Sequence, residues 1–332
     1  MVEIQTHVSL APFTTLKIGG KAVEFVVVRS DKELIEALEF SGPILLLGGG
    51  SNLLISDNGF NGRVVHINTH GIEQVSQGVK VAAGESWDKF VTWAVSNGYG
   101  QLAPLTGIPG TVGATPIQNV GAYGTEVSEL ISSVEVLNRD TKATTNFSNE
   151  NCQFSYRSSI FKTSPGKYVV LSVTFQLDQT NEVKVKYDEL AKKLGIEVNS
   201  SASAWDVFNA VRDLRSSKGM LLDETDRDTY SVGSFFLNPR ITSEQRAQLP
   251  SDAPSWLQPD GMWKVSAAWL INQAGFNRGF EHGNAGLSTK HPLAIINRNN
   301  ATAKEVISLA KLIQTRVLED FGIKLELEPQ II

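Results

Sequence analysis

The chain has 332 residues, of which 41% are hydrophobic and 20% are charged, a composition typical of a globular protein with two or three domains. Its formal net charge of -5 provides no basic excess to neutralise phosphates, which argues against a nucleic-acid partner. No apolar run approaches the roughly 18 residues that a membrane span requires, so no membrane partner is expected.

The first residues, MVEIQTHVSLAPF, lack the basic start and apolar run of a signal peptide, which predicts a cytoplasmic protein. Cys152 is the one cysteine in the sequence, so no intrachain disulfide can form, as expected in a reducing compartment. No metal site is expected, because the histidines are scattered without the spacing of metal ligands. They are His7, His66, His70, His282 and His291.

Residues 1–65 predict a small α/β unit. The segment Lys21–Val28 is strand-like, and Pro43–Leu47 reads as a buried strand. Between them, Ser30 and Glu33 form a capping box that opens a helix. The apolar spacing predicts that the buried face of this helix consists of Leu34, Ile35, Ala37 and Leu38.

A glycine-rich turn, Gly48-Gly49-Gly50-Ser51-Asn52, follows the second of these strands. Its backbone amides could surround a phosphate. The turn could equally be a β-hairpin turn leading into a short strand at Leu53–Ile55. Its spacing does not match the G-x-G-x-x-G dinucleotide fingerprint, so both interpretations stay open.

The middle of the chain predicts a mixed α+β domain, because it lacks the repeated strand–helix order of a doubly wound fold. A helix is predicted from the spacing of Trp87, Phe90, Val91, Ala94 and Val95, with Trp87 in the core. The strand-like segments are Arg63–Ile67, Val79–Ala83, Ile131–Asn138 and Lys167–Leu177.

The segment Gly107–Gly124 (GIPGTVGATPIQNVGAYG) contains too many glycines and prolines for a helix or a strand. Glycine allows the backbone to approach a ligand closely, and rows of bare amides hold phosphates and flat cofactor rings. The alternative is a surface loop without a ligand, although such a loop would carry more charge.

The pattern becomes more helical from about residue 200. Ser203 caps one helix, Thr302 and Glu305 form the capping box of another, and Lys218–Ser231 reads as an exposed polar loop. The segment Ile323–Glu328 alternates as a strand whose leucines are buried. Its opposite face then carries Lys324, Glu326 and Glu328.

Three polar residues could carry chemistry. Arg157 lies among aromatic residues and could bind a carboxylate or phosphate, or it could pair structurally with a nearby acid. Ser234, between Gly233 and Phe235, could donate a proton, although lone serines are usually turn residues. Glu328 could act on a substrate or simply be solvated on its strand. These residues alone indicate only a protein that binds a phosphate-bearing cofactor.

Taken together, these segments resemble the UDP-N-acetylenolpyruvoylglucosamine reductases of bacterial cell-wall synthesis, in the tyrosine-loop (type I) branch. The resemblance runs from Phe13–Gly20 (FTTLKIGG) to the final strand. Six blocks occur in the family's order, and it is their combination that is specific: LGGGSNLLI, GIPGTVGATPIQNVGAYG, FSYRSSIFK, GSFFLNP, AAWLINQAGF and LELEP.

The resemblance implies an α+β fold with a two-part FAD-binding module of the vanillyl-alcohol-oxidase type and a smaller α+β substrate-binding domain. Residues 1–65 would form the first FAD-binding subdomain. Residues 66–200, joined by the C-terminal strand at 322–332, would form the second, and residues 201–321 would bind the substrate.

The resemblance also implies that the protein binds FAD and uses NADPH as hydride donor. It would reduce UDP-N-acetylglucosamine enolpyruvate to UDP-N-acetylmuramate, a peptidoglycan precursor. NADPH and the sugar nucleotide would use the same cleft in turn. The residues expected at FAD are Gly48, Gly49, Gly50, Ser51 and Asn52 near the pyrophosphate, and Gly107, Pro109, Gly110, Gly113, Thr115, Pro116, Ile117, Asn119, Gly121, Tyr123 and Gly124 around the flavin.

The family's catalytic roles would fall on Arg157, Ser234 and Glu328. Arg157 would stabilise the charge that develops on the substrate carboxylate, and Glu328 would stand on its other side with a raised pKa. Ser234 would deliver the proton to C2 of the enolpyruvyl group. Glu326 shares a strand face with Glu328, and we favour Glu328 by its register from Phe321.

The residues expected at the sugar nucleotide are Tyr187, Lys218, Asn238 and His291. His291 stands where some members of the family carry glutamine. Gln330 replaces an arginine seen in some members, and Ala114 replaces a serine. No hydroxyl contact to the flavin is therefore expected at Ala114.

Two other functions are compatible with the same motifs. One is a flavin-dependent sugar or alcohol oxidase, which often attaches its flavin through histidine or cysteine, and the glycine-rich segments contain neither. The other is a non-catalytic sugar-nucleotide binding protein, which would have lost Arg157, Ser234 or the carboxylate. We predict a reductase that works as a monomer.

Overall fold

The computed structural model describes residues 2–76 and 78–332. The helices are α1 Asp31–Ala37, α2 Trp87–Ser96, α3 Ile160–Thr163, α4 Asp188–Leu194, α5 Ala204–Ser217, α6 Ser243–Gln248, α7 Ala267–Gln273 and α8 Ala303–Phe321. The strands are β1 Ile4–Ser9, β2 Lys21–Val28, β3 Ile44–Leu47, β4 Leu53–Leu54, β5 Phe60–Ile67, β6 Ile72–Val75, β7 Gly78–Ala82, β8 Gly121–Ala122, β9 Thr125–Glu126, β10 Ile131–Asn138, β11 Thr144–Ser148, β12 Tyr168–Phe175, β13 Glu182–Lys184, β14 Ser201–Ser203, β15 Arg240–Ile241, β16 Ser255–Leu257, β17 Trp263–Val265, β18 Glu281–His282, β19 Ala285–Leu287, β20 Ile295–Asn297 and β21 Gln330–Ile331.

The chain divides into two units, each with its own internal packing. Unit 1 comprises residues 1–8, 23–49 and 61–216, and unit 2 comprises residues 9–22, 50–60 and 217–332. The three-part division at residues 65, 200 and 321 stays a prediction.

Unit 1 is built on two sheets, with strand orders β1-β2-β5-β3 and β11-β10-β12-β7-β6. In the second sheet, β10 pairs with β12 and β12 with β7, both antiparallel. Helix α2 buries the five apolar side chains that the sequence predicts, and Trp87 is fully buried. The placement of Trp87 in the core is therefore confirmed.

Unit 2 packs its core around α8. The predicted capping box at the start of this helix is confirmed, since Thr302 and Glu305 exchange both hydrogen bonds. The C-terminal strand β21 pairs in parallel with β4. Asp57 accepts hydrogen bonds from the amides of Ala303 (2.7 Å) and Lys304 (3.1 Å) at the start of α8. The segment 50–60 is thus held to the C-terminal part of the chain.

Two local predictions are wrong, and a third is wrong in part. Ile35 is 41% exposed, because the short helix α1 turns only Leu34, Ala37 and Leu38 inward. Ile323–Glu328 forms no ladder strand, although Ile323 and Leu325 are buried as the alternation predicts and Leu327 makes an isolated bridge to Phe236.

The predicted exposed loop at 218–231 is exposed at residues 222–225 but buries Asp228, Thr229 and Ser231. The first two have internal hydrogen-bond partners, which makes their burial tolerable. The Thr229 hydroxyl donates to the carbonyl of Asp223 at 2.7 Å, and Asp228 accepts from Thr289.

Candidate active site

The two glycine-rich segments meet in unit 1. A Cβ placed on Gly49 would lie 2.6 Å from Cα of Gly110, and one placed on Gly48 would lie 2.6 Å from Oγ1 of Thr111. Glycine is therefore required at Gly49, because the neighbouring atom belongs to the backbone of Gly110 and cannot rotate away as a side chain could. The hairpin alternative for the turn is wrong, because β3 pairs with β5 and not with β4.

The Gly107–Gly124 loop is tied to the connection between β7 and α2. The amide of Trp87 donates to the carbonyl of Gly110 at 3.1 Å. The amide of Val112 donates to Glu85 and that of Gly113 to Ala83, both at 2.8 Å. These bonds join backbone to backbone, so they hold the course of the loop whatever its side chains are.

The turn also presents backbone without side chains. Gly48 and Gly49 are both half-buried. Bare amides next to a glycine-rich loop suit the pyrophosphate of a dinucleotide. The close approach of backbone at Gly49 and Gly110 fits a loop built to accept such a group, and the individual FAD contacts stay a prediction.

Arg157 is anchored to this loop. Its guanidinium donates to the carbonyls of Asn119 (3.3 Å) and Gly121 (3.0 Å), and its own backbone has φ of 53°. The side chain of Asn119 is buried and bonds to Glu126, to the carbonyl of Ser155 and to the amide of Ser128. Arg157 is thus positioned by carbonyl groups of the loop itself.

Tyr123 and Tyr187 are brought together in unit 1. Their rings meet edge to face, with centroids 5.7 Å apart and planes at 89°. Burial raises the pKa of Tyr123 to about 12, against the opposing charge of Arg215, and burial also raises the pKa of Tyr187. Both phenols are therefore protonated near neutral pH and can donate hydrogen bonds.

Unit 2 brings together Asn52, Ser234 and Glu328. The amide of Glu328 donates to the carbonyl of Phe235 at 3.0 Å, which places Ser234 and Glu328 on neighbouring segments. The side chain of Asn52 donates to the carbonyl of Glu328 at 3.3 Å, and the carbonyl of Asn52 accepts from Gln330 at 2.9 Å. Two predicted catalytic residues and one predicted cofactor residue are thus linked within one unit.

Glu326 and Glu328, the two candidates for the catalytic carboxyl group, differ in burial. Glu326 is exposed, whereas Glu328 is half-buried and follows Leu327, which is bridged to Phe236. A carboxyl group that needs a raised pKa must be partly removed from water. This difference favours Glu328.

The predicted sugar-nucleotide residues Lys218, Asn238 and His291 lie in unit 2 and are half-buried. Asn238 uses its side-chain oxygen to accept from the amide of Ala267 at 2.9 Å, at the start of α7. His291 Nδ1 accepts from the amide of Leu293 at 3.1 Å, so the neutral ring carries its proton on Nε2.

Asp228 is a residue that sequence reasoning missed. Its carboxylate accepts from the amide (2.8 Å) and the hydroxyl (2.5 Å) of Thr289, two positions before His291. A Cβ on Gly219, next to Lys218, would lie 3.0 Å from its Cβ. Asp228 therefore holds two predicted substrate-binding segments. The only sequence signal was an acidic residue in a segment that read as solvated.

Comparison with known proteins identifies the family. The model of a UDP-N-acetylenolpyruvoylglucosamine reductase C-terminal domain matches residues 224–332, and that of an FAD binding domain matches residues 24–145. The chain is 44% identical to the UDP-N-acetylenolpyruvoylglucosamine reductase of Cutibacterium acnes, over 98% of this chain and 89% of that protein. The chain belongs to the UDP-N-acetylenolpyruvoylglucosamine reductase family.

Two further members of this reductase family support the assignment. The Streptomyces avermitilis reductase is 44% identical over 96% of this chain and 92% of its own length. The crystal structure of the reductase from Thermus caldophilus matches with a TM-score of 0.71 and 26% identity, covering 100% of this chain and 98% of the other. The predicted α+β fold, with an FAD-binding module of the vanillyl-alcohol-oxidase type and a substrate-binding domain, is confirmed.

Within residues 2–76 and 78–332, no helix is both long and apolar enough to cross a membrane. Over the same residues, His, Cys, Asp and Glu side chains form no group of three that could hold a metal ion.

Proposed function

We propose that the protein reduces UDP-N-acetylenolpyruvoylglucosamine to UDP-N-acetylmuramate with NADPH and FAD, for peptidoglycan precursor synthesis. Family membership over nearly the whole chain supports the reaction. The observation that carries the assignment of residues is the linkage of Ser234, Glu328 and Asn52 in unit 2.

FAD would be held by two groups of residues. The amides of Gly48 and Gly49, followed in the chain by Ser51 and Asn52, would bind the pyrophosphate, and the Gly107–Gly124 loop would surround the flavin. When bound, FAD supplies the hydride chemistry that connects NADPH to the enolpyruvyl double bond. The protein contributes position, charge and protons.

Arg157 would stabilise the negative charge that develops on the substrate carboxylate. Two of its donors already bond to the carbonyls of Asn119 and Gly121, so the guanidinium is oriented before substrate enters. A preoriented charge requires little reorganisation as the reaction proceeds. Anchoring to the loop that would surround the flavin supports this role.

Ser234 would hold the proton delivered to C2, and Glu328 would face the substrate carboxylate. The segment on which Ser234 lies is rigid, since Phe235 and Phe236 are buried and the amide of Phe235 donates to Leu293 at 2.7 Å. A rigid support keeps the hydroxyl within reach of one carbon atom. Glu328 is held to the same segment, because its amide donates to the carbonyl of Phe235 at 3.0 Å.

The sugar nucleotide would be bound by Tyr187, Lys218, Asn238 and His291. Tyr187 is 45% exposed and its ring leans on Tyr123, so its other surface can cover a ligand. The Nε2–H group of neutral His291 can donate a hydrogen bond as a glutamine amide would. His291 can therefore replace the glutamine of other family members.

We further propose that the enzyme works as a monomer in the cytoplasm, without a nucleic-acid or membrane partner. The net charge of -5 supports the first exclusion, because phosphate binding depends on a basic excess.

An anaerobic two-step experiment tests the proposed function. The purified protein is mixed with NADPH, and the flavin absorption should bleach. Adding UDP-N-acetylenolpyruvoylglucosamine should then restore the absorption. A flavin that regains colour only with oxygen would indicate an oxidase, and a protein that binds the sugar nucleotide without any colour change would be a non-catalytic binder.

A further inference from the structure

Asp88 and Arg212 form an ion pair in unit 1. One guanidinium nitrogen of Arg212, Nη1, lies 2.9 Å from both carboxylate oxygens of Asp88, and each side chain is 33% exposed. Asp88 is in the first turn of α2, and Arg212 is in α5. An ion pair at this degree of exposure contributes little to stability by itself. Its importance therefore depends on what else the two side chains contact.

The same carboxylate holds the first residue of the Gly107–Gly124 loop. Oδ1 of Asp88 accepts from the amide of Gly107 at 2.6 Å and from the hydroxyl of Thr106 at 3.2 Å. Thr106 is fully buried, and Gly107 has φ of 71°. One charged oxygen therefore fixes the backbone where the loop begins.

This contact differs from the other anchors of the loop. Gly110, Val112 and Gly113 are held through backbone bonds, whereas Gly107 depends on a side chain whose orientation is set by Arg212. The guanidinium carbon of Arg212 lies 5.4 Å from the centre of the Phe208 ring, which helps to fix the guanidinium. No local pattern predicts this arrangement, since 124 residues separate its two partners.

We propose that Asp88 and Arg212 are a positioning pair that sets the entry of the flavin loop and thereby the affinity for FAD. The proposal rests on the proposed function, because it assumes that the Gly107–Gly124 loop binds FAD. Neither residue needs to touch the cofactor, since the effect passes through the backbone of Gly107.

The test measures FAD binding to apoprotein by the quenching of FAD fluorescence. Asp88→Ala removes the acceptor and should weaken FAD binding by about tenfold or more, as expected for the loss of hydrogen bonds to a charged group. Asp88→Asn keeps one oxygen for Gly107 and should weaken it less. Arg212→Gln leaves the carboxylate without its partner and should also weaken binding.

The matched control is Asp213→Asn. Asp213 is the next residue on α5 and pairs with Lys193 at 3.0 Å, away from the loop. Its substitution should leave the FAD dissociation constant unchanged. Thermal unfolding of each apoprotein, recorded separately, distinguishes a loss of cofactor affinity from a loss of folding.

Each outcome decides a different point. If Asp88→Ala does not fold, Asp88→Asn and Arg212→Gln carry the test. If both bind FAD as Asp213→Asn does, the proposal is overturned. If the Asp88 variants bind FAD more weakly but Arg212→Gln binds it as the wild type does, the proposal that the two residues act as a pair is overturned. If the wild type itself binds no FAD, the proposed function fails independently of these variants.

Discussion

At the scale of single residues, the proposed proton delivery depends on the hydroxyl of Ser234. This half-buried serine precedes two fully buried phenylalanines, Phe235 and Phe236. We predict that Ser234→Ala still allows NADPH to reduce the flavin. Product formation should fall by a factor on the order of 100 or more, because a positioned proton donor is lost. Stopped-flow absorption measures the two half-reactions separately.

The control for this prediction is Ser251→Ala, an exposed serine of the same unit. Both half-reactions should keep their wild-type rates in this variant. An equal loss of both half-reactions in Ser234→Ala would show that the serine supports the structure and does not deliver the proton.

A second residue prediction concerns Gly49. In Gly49→Ala the new methyl group would lie 2.6 Å from Cα of Gly110, so one of the two glycine-rich segments must move. We expect a loss of about 1–3 kcal/mol of unfolding free energy from overpacking, together with most of the bound FAD. Denaturant titration and flavin content measure the two effects.

The control variant is Gly195→Ala, which should lose a similar free energy of unfolding to Gly49→Ala but lies at the end of α4. Gly195 ends α4 with φ of 68° and has open space around it, so alanine should cost about 1–2 kcal/mol through its backbone conformation alone. Its flavin content should stay at the wild-type level. Full flavin content in Gly49→Ala would show that the contact with Gly110 does not shape the cofactor site.

At the scale of elements, the capping box of α8 makes part of the stability depend on pH. Hydrogen bonds from the backbone amides of Thr302 and Asn284 hold the pKa of Glu305 at about 2, below its ordinary 4.5. Because the folded state lowers this pKa, the ionised carboxylate stabilises the fold above about pH 4.5. The contribution is lost as the pH falls towards about 2.

The measurement compares the wild type with Glu305→Gln by urea unfolding at decreasing pH. The wild type should be the more stable protein above about pH 4.5, and the difference should shrink as the pH approaches 2. Glu319→Gln, at an exposed carboxylate of the same helix, should show no such trend. A difference between wild type and Glu305→Gln that is independent of pH would contradict the assignment.

Local sequence patterns predicted the helices and strands whose position depends on residues within the element itself. Helix α2 forms where its five apolar residues predict it, and β2 and β10 match their predicted bounds. At Ile323–Glu328 the alternation correctly predicted the burial of Ile323 and Leu325 but not the absence of a ladder, because this segment makes only isolated contacts with Phe236 and its neighbours.

Contacts between distant positions could not be predicted in the same way. Asp57 caps α8 across 246 residues, and Asp228 is buried because Thr289 supplies its partners. In the candidate site, the glycine-rich segments were recognisable by composition. That Arg157 is anchored by the carbonyls of Asn119 and Gly121 depends on tertiary structure, which composition does not encode.

At the scale of the whole molecule, each unit supplies a different part of the proposed reaction. Unit 1 contains the glycine-rich loop, Arg157 and Tyr187, whereas unit 2 contains Asn52, Ser234 and Glu328. Each group is arranged by contacts inside its own unit.

The most direct test of this account is the stoichiometry of the complete reaction. The protein is incubated anaerobically with NADPH and UDP-N-acetylenolpyruvoylglucosamine, and the molecular mass of the sugar nucleotide is measured by mass spectrometry. The account predicts a product heavier than the substrate by two hydrogen atoms, with one NADPH oxidised per product formed. Oxidation of NADPH with the sugar nucleotide left unchanged would contradict it.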